Sequence, residues 1–309
     1  MQAAPSASHR RGTVARLPSP PLVLGAIVSV QSGAALAATL FSQIGPLDTV
    51  FLRLASAAAM LLALRRPRLR SLRGAGGRTR RELAHPEGHR LAVLFGLVLA
   101  AMNVSFYEAI ARIPLGIAVS LEFVGPLAVS LMGSRRRANL LWSALALAGV
   151  LALTRGGTRP LDALGVVLAL VAGGFWGCYI LINARVGAVY EGVSGLTLAL
   201  CVAALALVVP VALDAGANLL NGEVLALGVA VGALSSVIPY SLEIEALRRI
   251  APAVFGVLMS LEPAAAALSG LVVLGQQLQA RELLGIALVA LASAGAAGVS
   301  VRRRQPDPL

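Results

Sequence analysis

The chain has 309 residues, of which 58% are hydrophobic and only 13% are charged, and its mean hydropathy is +0.83. A soluble domain carries about 25% charged residues, so this chain lacks the charge that a water-exposed surface requires. The composition excludes an ordinary soluble protein and indicates that a lipid bilayer is the solvent. Cys178 and Cys201 lie in apolar runs, which indicates neither a disulfide framework nor a cysteine metal site.

Apolar runs close to the length of a membrane-spanning helix recur along the chain. A helix needs about 20 apolar residues to cross the hydrocarbon core of a bilayer, and ten runs near that length are present. We therefore predict an all-α integral membrane protein with ten transmembrane helices. The predicted spans are Leu22 to Ile44, Thr49 to Leu64, Leu91 to Ala111, Pro114 to Gly133, Ala138 to Thr154, Ala163 to Ile182, Gly195 to Leu213, Val224 to Ala246, Pro252 to Leu274 and Leu283 to Val301.

Arginine supplies all 26 basic residues, and the net charge is +12. The N-terminal tail and every second connection after it hold 21 of these arginines, nine of them in the segment 65–90, whereas the opposite connections hold four. By the positive-inside rule, both termini and the basic loop 65–90 are expected in the cytoplasm. The loop would meet anionic lipid headgroups. No aromatic residues are interleaved with its arginines, so we do not expect nucleic acid as a partner.

Two segments of the chain share one pattern of residues. Each contains Glu, Arg and Pro followed by Ser-Leu-Glu, and they read YEAIARIPLGIAVSLEFVGP (Tyr107 to Pro126) and LEIEALRRIAPAVFGVLMSLEP (Leu242 to Pro263). Five predicted spans fall in each half, and an odd number makes the halves enter the membrane from opposite sides. This predicts two inverted five-helix repeats, as in secondary carriers. The predicted divisions are an N-tail 1–21, a first repeat 22–154, a second repeat 155–301 and a C-tail 302–309.

Two acidic residues occupy matching positions within the repeats. Glu122 lies eight residues and Glu262 ten residues into its span, which places both about 12–15 Å deep in a core of ~30 Å. A charge there costs about 3 kcal/mol on insertion scales, so both are functional candidates for binding a substrate or a proton. Burial favours the neutral form of a carboxyl group, which allows protons to be taken up and released. Alternatively, a protonated Glu hydrogen-bonds to a neighbouring helix.

Other charged residues near or within spans have competing interpretations. Arg53 is the one basic residue inside a span; it could bind a substrate carboxylate, reach the lipid headgroups or pair with an acid. Glu108, Glu243 and Glu245 lie near span ends, where they are either gate residues or partners of neighbouring arginines. Pro126 and Pro263 would kink the helices beside the two acids and free backbone carbonyls, although proline is common in membrane helices.

Uncharged polar residues within spans either line a wet cavity or form interhelical hydrogen bonds. The candidates for cavity lining are Gln31, Asn103, Tyr107, Tyr179 and Tyr240. Small residues at Ala290, Ala294 and Gly298 would permit the close helix contact of a homodimer. The sequence has no Walker, GxSxG or HExxH motif, so neither an enzyme nor a metal or other cofactor is expected.

Three segments carry a resemblance to a known family. They are QSGAALAATLFSQIGPLDTVFLRL (Gln31 to Leu54), PLGIAVSLEFVGPLAV (Pro114 to Val129) and SLEPAAAALSGLVVLGQ (Ser260 to Gln276). They resemble the EamA type of the drug/metabolite transporter superfamily, and within it the bacterial threonine and homoserine exporters. The resemblance implies the ten-helix fold of that superfamily and export of small amino acids across the bacterial inner membrane by exchange with protons.

The resemblance also assigns residues. The family's membrane acids correspond to Glu122 and Glu262, and its arginine in the second span corresponds to Arg53. This chain departs from the family at Gln276 and Gln277, where an acid is usual.

Two alternatives stay open at this point. The chain could carry a different small metabolite or a drug. It could also be a membrane enzyme or scaffold, but such a protein should present a cluster of acids or histidines to the cytosol, and the sequence contains none.

Overall fold

The computed structural model describes residues 19–71, 86–132, 137–154, 161–190, 194–214, 217–250 and 252–301. Every regular element within these residues is helical, as the sequence predicts. The elements are α1 (Ser19–Ser71), α2 (Pro86–Ile110), α3 (Leu115–Glu122), α4 (Val124–Met132), α5 (Arg137–Thr154), α6 (Ala163–Val189), α7 (Ser194–Asp214), a 3₁₀ turn (Ala217–Leu220), α8 (Gly222–Gly232), a π-helical segment (Ala233–Val237), α9 (Ile238–Leu247), α10 (Pro252–Met259), α11 (Glu262–Leu274) and α12 (Ala280–Val301).

Six of the described helical stretches are long and apolar enough to cross a bilayer. They are Pro20–Leu64, Gly88–Ile110, Ala163–Val189, Ser194–Leu213, Gly222–Leu247 and Val254–Leu274, and two shorter apolar stretches are Leu115–Val129 and Leu141–Thr154. Large apolar side chains point outward, with Leu213 85% and Val272 73% exposed, while Gln31 and Glu262 are buried. Polar groups inside and apolar groups outside are the distribution expected of a protein in lipid.

The first helix turns back on itself at Gly45. This residue has φ 75° and ψ 168°, in the left-handed region that favours glycine. The half of α1 before Gly45 packs against the stretch from α8 to α9. There, Gly25 faces Leu242, and the Ser29 hydroxyl donates a hydrogen bond of 2.7 Å to the Leu234 carbonyl. The residue numbers of the contacted partners decrease as those of α1 increase, so the two segments run antiparallel.

The second half of α1 packs against the same stretch in the opposite sense. Leu52 contacts Gly228, and Ser56 contacts Gly232. The residue numbers increase in both segments together, so these segments run parallel. The two halves of α1 therefore run antiparallel to each other, like a helical hairpin closed at Gly45. The 45 residues of Pro20–Leu64 are also about twice the length needed for one crossing.

Helical structure extends into the segment predicted as a basic loop. The helix α1 continues to Ser71 and α2 begins at Pro86, so both ends of the predicted loop 65–90 are helical. Arg, which supplies four of the seven residues in 65–71, has a high helical propensity. The rest of that loop, most of the predicted N-tail and the predicted C-tail 302–309 lie outside the described residues.

Glycines bring α6 against the break between α3 and α4. A Cβ on Gly125 would lie 1.7 Å from the Gly173 carbonyl oxygen, and a Cβ on Gly173 would lie 2.5 Å from the Glu122 carbonyl oxygen. The backbones are therefore in direct contact, which side chains at these positions would prevent. This contact fixes the position of the Glu122 backbone.

The helices α3 and α11 cross in opposite directions. Leu115 faces Gly270 and Gly116 faces Ala267, so the residue numbers of the contacted partners decrease along α3. The Leu115 amide at the start of α3 donates a hydrogen bond of 3.0 Å to Oε1 of Gln276. The side chain of Pro114, the N-cap residue of α3, makes no capping hydrogen bond. Gln276 instead accepts the hydrogen bond of the free amide at the start of α3.

The close backbone contact at Gly173 predicts a large effect of any side chain there. We expect Gly173→Val to destabilise the protein by about 1–3 kcal/mol or more, because the new atoms meet backbone that cannot move aside. The matched control is Gly174→Val, since a Cβ on Gly174 has no atom within 4 Å. Thermal unfolding of the detergent-purified variants measures the difference; equal unfolding temperatures would contradict the packing described.

The cap on α3 predicts a second pair of variants. We expect Gln276→Leu to cost about 1–3 kcal/mol, since it leaves the buried Leu115 amide without an acceptor. Gln276→Glu should keep wild-type stability because a carboxylate oxygen can take over the bond. Gln277→Leu, at an exposed neighbouring position, serves as the control. The same thermal measurement applies, and a fully stable Gln276→Leu protein would rule out the capping role.

Candidate functional site

A cavity of about 380 Å³ lies where α1, α2, the α3–α4 break, α6, the π-helical segment and α9 to α12 meet. Its lining combines apolar and aromatic side chains with a few charged and polar ones, a composition typical of small-molecule sites. The charged residues of the lining are Arg53, Glu122, Glu243 and Glu262. The uncharged polar residues are Gln31, Asn103, Tyr179, Ser235, Tyr240, Ser260 and Ser293.

Both repeated acids line this cavity at interruptions of their helices. Glu122 is the last residue of α3 and Glu262 is the first residue of α11, and they are 8% and 6% exposed. Each acid follows a serine by two positions, and that serine bonds to the backbone one turn earlier. Ser120 donates to the Gly116 carbonyl at 2.7 Å, and Ser260 donates to the Gly256 carbonyl at 3.1 Å. The two copies of the Ser-Leu-Glu pattern therefore have the same local hydrogen bonding.

Proline explains part of the interruption at each acid. Pro126 has no amide hydrogen for the Glu122 carbonyl, which lies four residues earlier, and Pro263 likewise leaves the Met259 carbonyl without its helical donor. Phe123 separates α3 from α4, while Ser260 and Leu261 separate α10 from α11. A helix can be interrupted within the membrane where its unpaired backbone groups are buried in protein or face a cavity.

Arg53 reaches the same cavity from the second half of α1. Its Nη1 donates to the Tyr107 hydroxyl at 3.2 Å and its Nη2 donates to the Ser235 carbonyl at 3.3 Å. The guanidinium also lies over the Tyr107 ring, with 5.4 Å from Cζ to the ring centroid. Among the described residues Nε has no hydrogen-bond partner. Arg53 thus lines the cavity, in electrostatic range of Glu122.

The five predicted lining residues fall into two groups. Gln31, Asn103, Tyr179 and Tyr240 line the cavity, whereas Tyr107 is fully buried beside it and holds Arg53. The Asn103 amide donates to the Leu99 carbonyl of its own helix at 2.8 Å, rather than to a neighbouring helix.

The two predicted gate residues lie away from the cavity lining, in ion pairs. Glu108 pairs with Arg112 one turn later on the chain, and Glu245 pairs with Arg249 and, at 3.6 Å, with Arg248. All of these side chains are partly exposed. Pairing with neighbouring arginines was the alternative interpretation of the sequence. A gating role for either acid stays a prediction.

Glu243 lines the cavity and, like Glu245, lies near the end of a span. It follows Tyr240 by three residues and lines the cavity together with Glu262. The helix ends at Leu247, one residue beyond the predicted end at Ala246, so the predicted position of Glu243 is correct, but its place in the cavity lining was not predicted. The spacing of three residues between Tyr240 and Glu243, which places both on one helix face, was the signal that could have identified it.

Known proteins resemble this chain over most of its length. The model of the EamA-like transporter family matches residues 163–297. The threonine/homoserine exporter RhtA of Salmonella typhimurium strain SL1344 is 41% identical over 286 residues, covering 91% of this chain and 92% of that protein. The RhtA protein of Escherichia coli K12 is 41% identical over 278 residues, covering 89% of both chains.

One solved crystal structure shares the fold. It aligns with a TM-score of 0.60 at 21% sequence identity and covers 93% of this chain and 99% of its own. The curated relatives, which match at 41% identity over most of both sequences, and the match to the family model show that the chain belongs to the EamA-like transporter family.

Proposed function

We propose that this protein is a secondary transporter that exports threonine, homoserine and similar small amino acids across the bacterial cytoplasmic membrane in exchange for protons. The observation that carries the proposal is a single cavity lined by one arginine and by the two repeated acids, Arg53, Glu122 and Glu262. The names of the relatives, threonine/homoserine exporters, support the choice of substrate.

The charges of the cavity complement those of an amino acid. A free amino acid carries a carboxylate and an ammonium group two bonds apart through Cα. The guanidinium of Arg53 can hold the carboxylate, since its Nε has no protein partner among the described residues. Glu122 and Glu262 can accept hydrogen bonds from the ammonium. The cavity volume of about 380 Å³ lies within the usual range of small-molecule sites.

Coupling to protons follows from competition for the same acids. A carboxylate that holds a substrate ammonium is ionised, whereas a protonated carboxyl group no longer attracts the ammonium. A proton that enters from outside therefore displaces the amino acid from Glu122 or Glu262. The proton leaves on the cytoplasmic side, where another amino acid takes its place. One direction of transport carries substrate and the other carries the proton.

Alternating access would come from two inverted five-helix repeats, 22–154 and 155–301, which rock about the cavity. Supporting features are the two copies of the Ser-Leu-Glu pattern and the antiparallel crossing of α3 and α11. In this proposal the chain crosses the membrane ten times, and the arginine distribution puts both termini in the cytoplasm. The interruptions beside Glu122 and Glu262 would let each repeat bend at the site.

A second substrate class is favoured by the aromatic part of the lining. Phe123 and Trp176 stack edge to face with 5.0 Å between ring centroids, and Phe106 and Phe255 also line the cavity. Such a wall would suit an apolar metabolite or drug. That substrate would not need both acids and the arginine.

Neutral variants of the acids test the proposal. We expect Glu122→Gln and Glu262→Gln each to reduce threonine efflux about 10- to 100-fold, because each loses a charge-assisted hydrogen bond to the ammonium. The control is Glu223→Gln, at an exposed position at the start of α8. Efflux of labelled threonine from preloaded cells measures the effect, normalised to the amount of protein in the membrane.

Wild-type efflux from both variants would remove the acids from the mechanism. If the wild-type protein exports drugs or other metabolites but no threonine, the second substrate class is correct.

A further inference from the structure

Four cavity-lining residues each carry a buried polar atom with no hydrogen-bond partner among the described residues. These atoms are Oε1 of Gln31, Nε of Arg53, Oγ of Ser235 and Oγ of Ser293. Buried polar groups in folded proteins are nearly always paired, because an unpaired group loses its hydration without compensation. Four such atoms in the lining of one cavity indicate that a ligand completes their hydrogen bonds.

Helix contacts place Ser235 and Arg53 together at the cavity, beside the first half of α1. The first half of α1 touches the π-helical segment at Gly33, where a Cβ would lie 2.2 Å from Ser235 Oγ. Gln31 is two residues before Gly33 on the same helix, about 200° around its axis, so it lines the cavity from a different face of α1. The Arg53 guanidinium bonds to the Ser235 carbonyl at 3.3 Å. The absent side chain at Gly33 is what allows α1 to approach the serine this closely.

The segment that carries Ser235 is itself unusual. Residues Ala233–Val237 form a π-helical turn between α8 and α9. Such turns insert an extra residue into an α-helix, weaken its regular hydrogen bonding and occur frequently at functional sites. Here the π-helical turn presents Ser235 next to Arg53 and the first half of α1.

The orientation of an amino acid in the cavity leaves its side chain free to meet another residue of the lining. In the proposed function, Arg53 holds the carboxylate, and Glu122 and Glu262 hold the ammonium. The side chain is the remaining branch at Cα. In threonine and homoserine this branch ends in, or carries, a hydroxyl group. An unpaired amide oxygen is an acceptor for that hydroxyl.

We propose that Oε1 of Gln31 accepts a hydrogen bond from the side-chain hydroxyl of the substrate, and that this bond selects hydroxyl amino acids over apolar ones of equal size. The inference rests on the proposed function and adds the residue that sets its specificity. A site built to bond a hydroxyl rejects the analogue that lacks it, because the protein group then stays buried and unpaired.

Competition experiments in proteoliposomes test the inference. The pair of ligands is threonine and valine, in which a methyl group replaces the hydroxyl. For the wild-type protein we expect unlabelled threonine to inhibit transport of labelled threonine at a concentration at least about tenfold lower than valine. In Gln31→Met the ratio of the inhibitory concentrations of valine and threonine should fall toward one. Threonine loses the acceptor for its hydroxyl, and bound valine no longer leaves an amide oxygen unpaired. Gln277→Met, the same exchange at an exposed position outside the cavity lining, should keep the wild-type ratio.

A second measurement needs no variant at Gln31. Homoserine and norvaline form an equivalent pair, in which a methyl group replaces the hydroxyl, so homoserine should inhibit threonine transport by the wild-type protein at a concentration at least about tenfold lower than norvaline.

The inference is overturned if the wild-type protein carries threonine but does not distinguish either pair. It is equally overturned if Gln31→Met carries threonine with the wild-type ratio. A purified wild-type protein that moves neither threonine nor homoserine overturns the proposed function, and with it this inference; that result is distinct from transport without discrimination.

Discussion

The rest of the structure depends on one constraint, the need to accommodate ionisable groups inside a membrane protein. These groups are the side chains of Arg53, Glu122 and Glu262, and the helices around them have an apolar outer surface. Ionisable groups inside a membrane protein are costly unless they face one another or a wet cavity. Here they line one cavity, and among the described residues no ion pair joins Arg53 to either acid. Within that part of the chain neither acid is engaged by Arg53 in an ion pair, and all three side chains line the space that a ligand would occupy.

Local backbone features create the space and fix the charges around it. The helices are interrupted at Phe123 and at Ser260 and Leu261, which sets each carboxylate at a break. Close contact between Gly125 and Gly173 holds the first break against α6. Tyr107 holds the guanidinium of Arg53 by a hydrogen bond and by its ring. Small residues and helix breaks thus position the side chains of this cavity, a role that loops commonly have in the binding sites of soluble proteins.

Much of the site could be predicted because the chain repeats itself. The Ser-Leu-Glu pattern identified Glu122 and Glu262 without any structure, and the rarity of charge within apolar runs identified Arg53. Family membership confirms the prediction of a transporter rather than an enzyme. The all-helical architecture followed from hydropathy alone. The ten-helix count is a finer prediction than the six long apolar stretches of the described residues.

Other features could not be predicted because they depend on contacts between distant parts of the chain. No local signal marks the π-helical turn Ala233–Val237, and the contact of Gly33 with Ser235 joins residues about 200 positions apart. Glu243 was correctly predicted near a span end, since the helix ends at Leu247, but hydropathy does not show that its side chain lines a cavity. The capping of Leu115 by Gln276 likewise gives a structural role to a position where the family resemblance had suggested only a missing acid.

Binding of modified threonines to the purified wild-type protein tests the central claim most directly, because it probes the ammonium and the carboxylate of the ligand separately. Threonine, N-acetylthreonine and threonine amide differ in whether they carry an ammonium and a carboxylate. If Arg53 and the two acids together hold a zwitterion, threonine raises the thermal unfolding temperature of the protein and both neutralised analogues fail to do so at equal concentration. Equal stabilisation by all three compounds would contradict the claim.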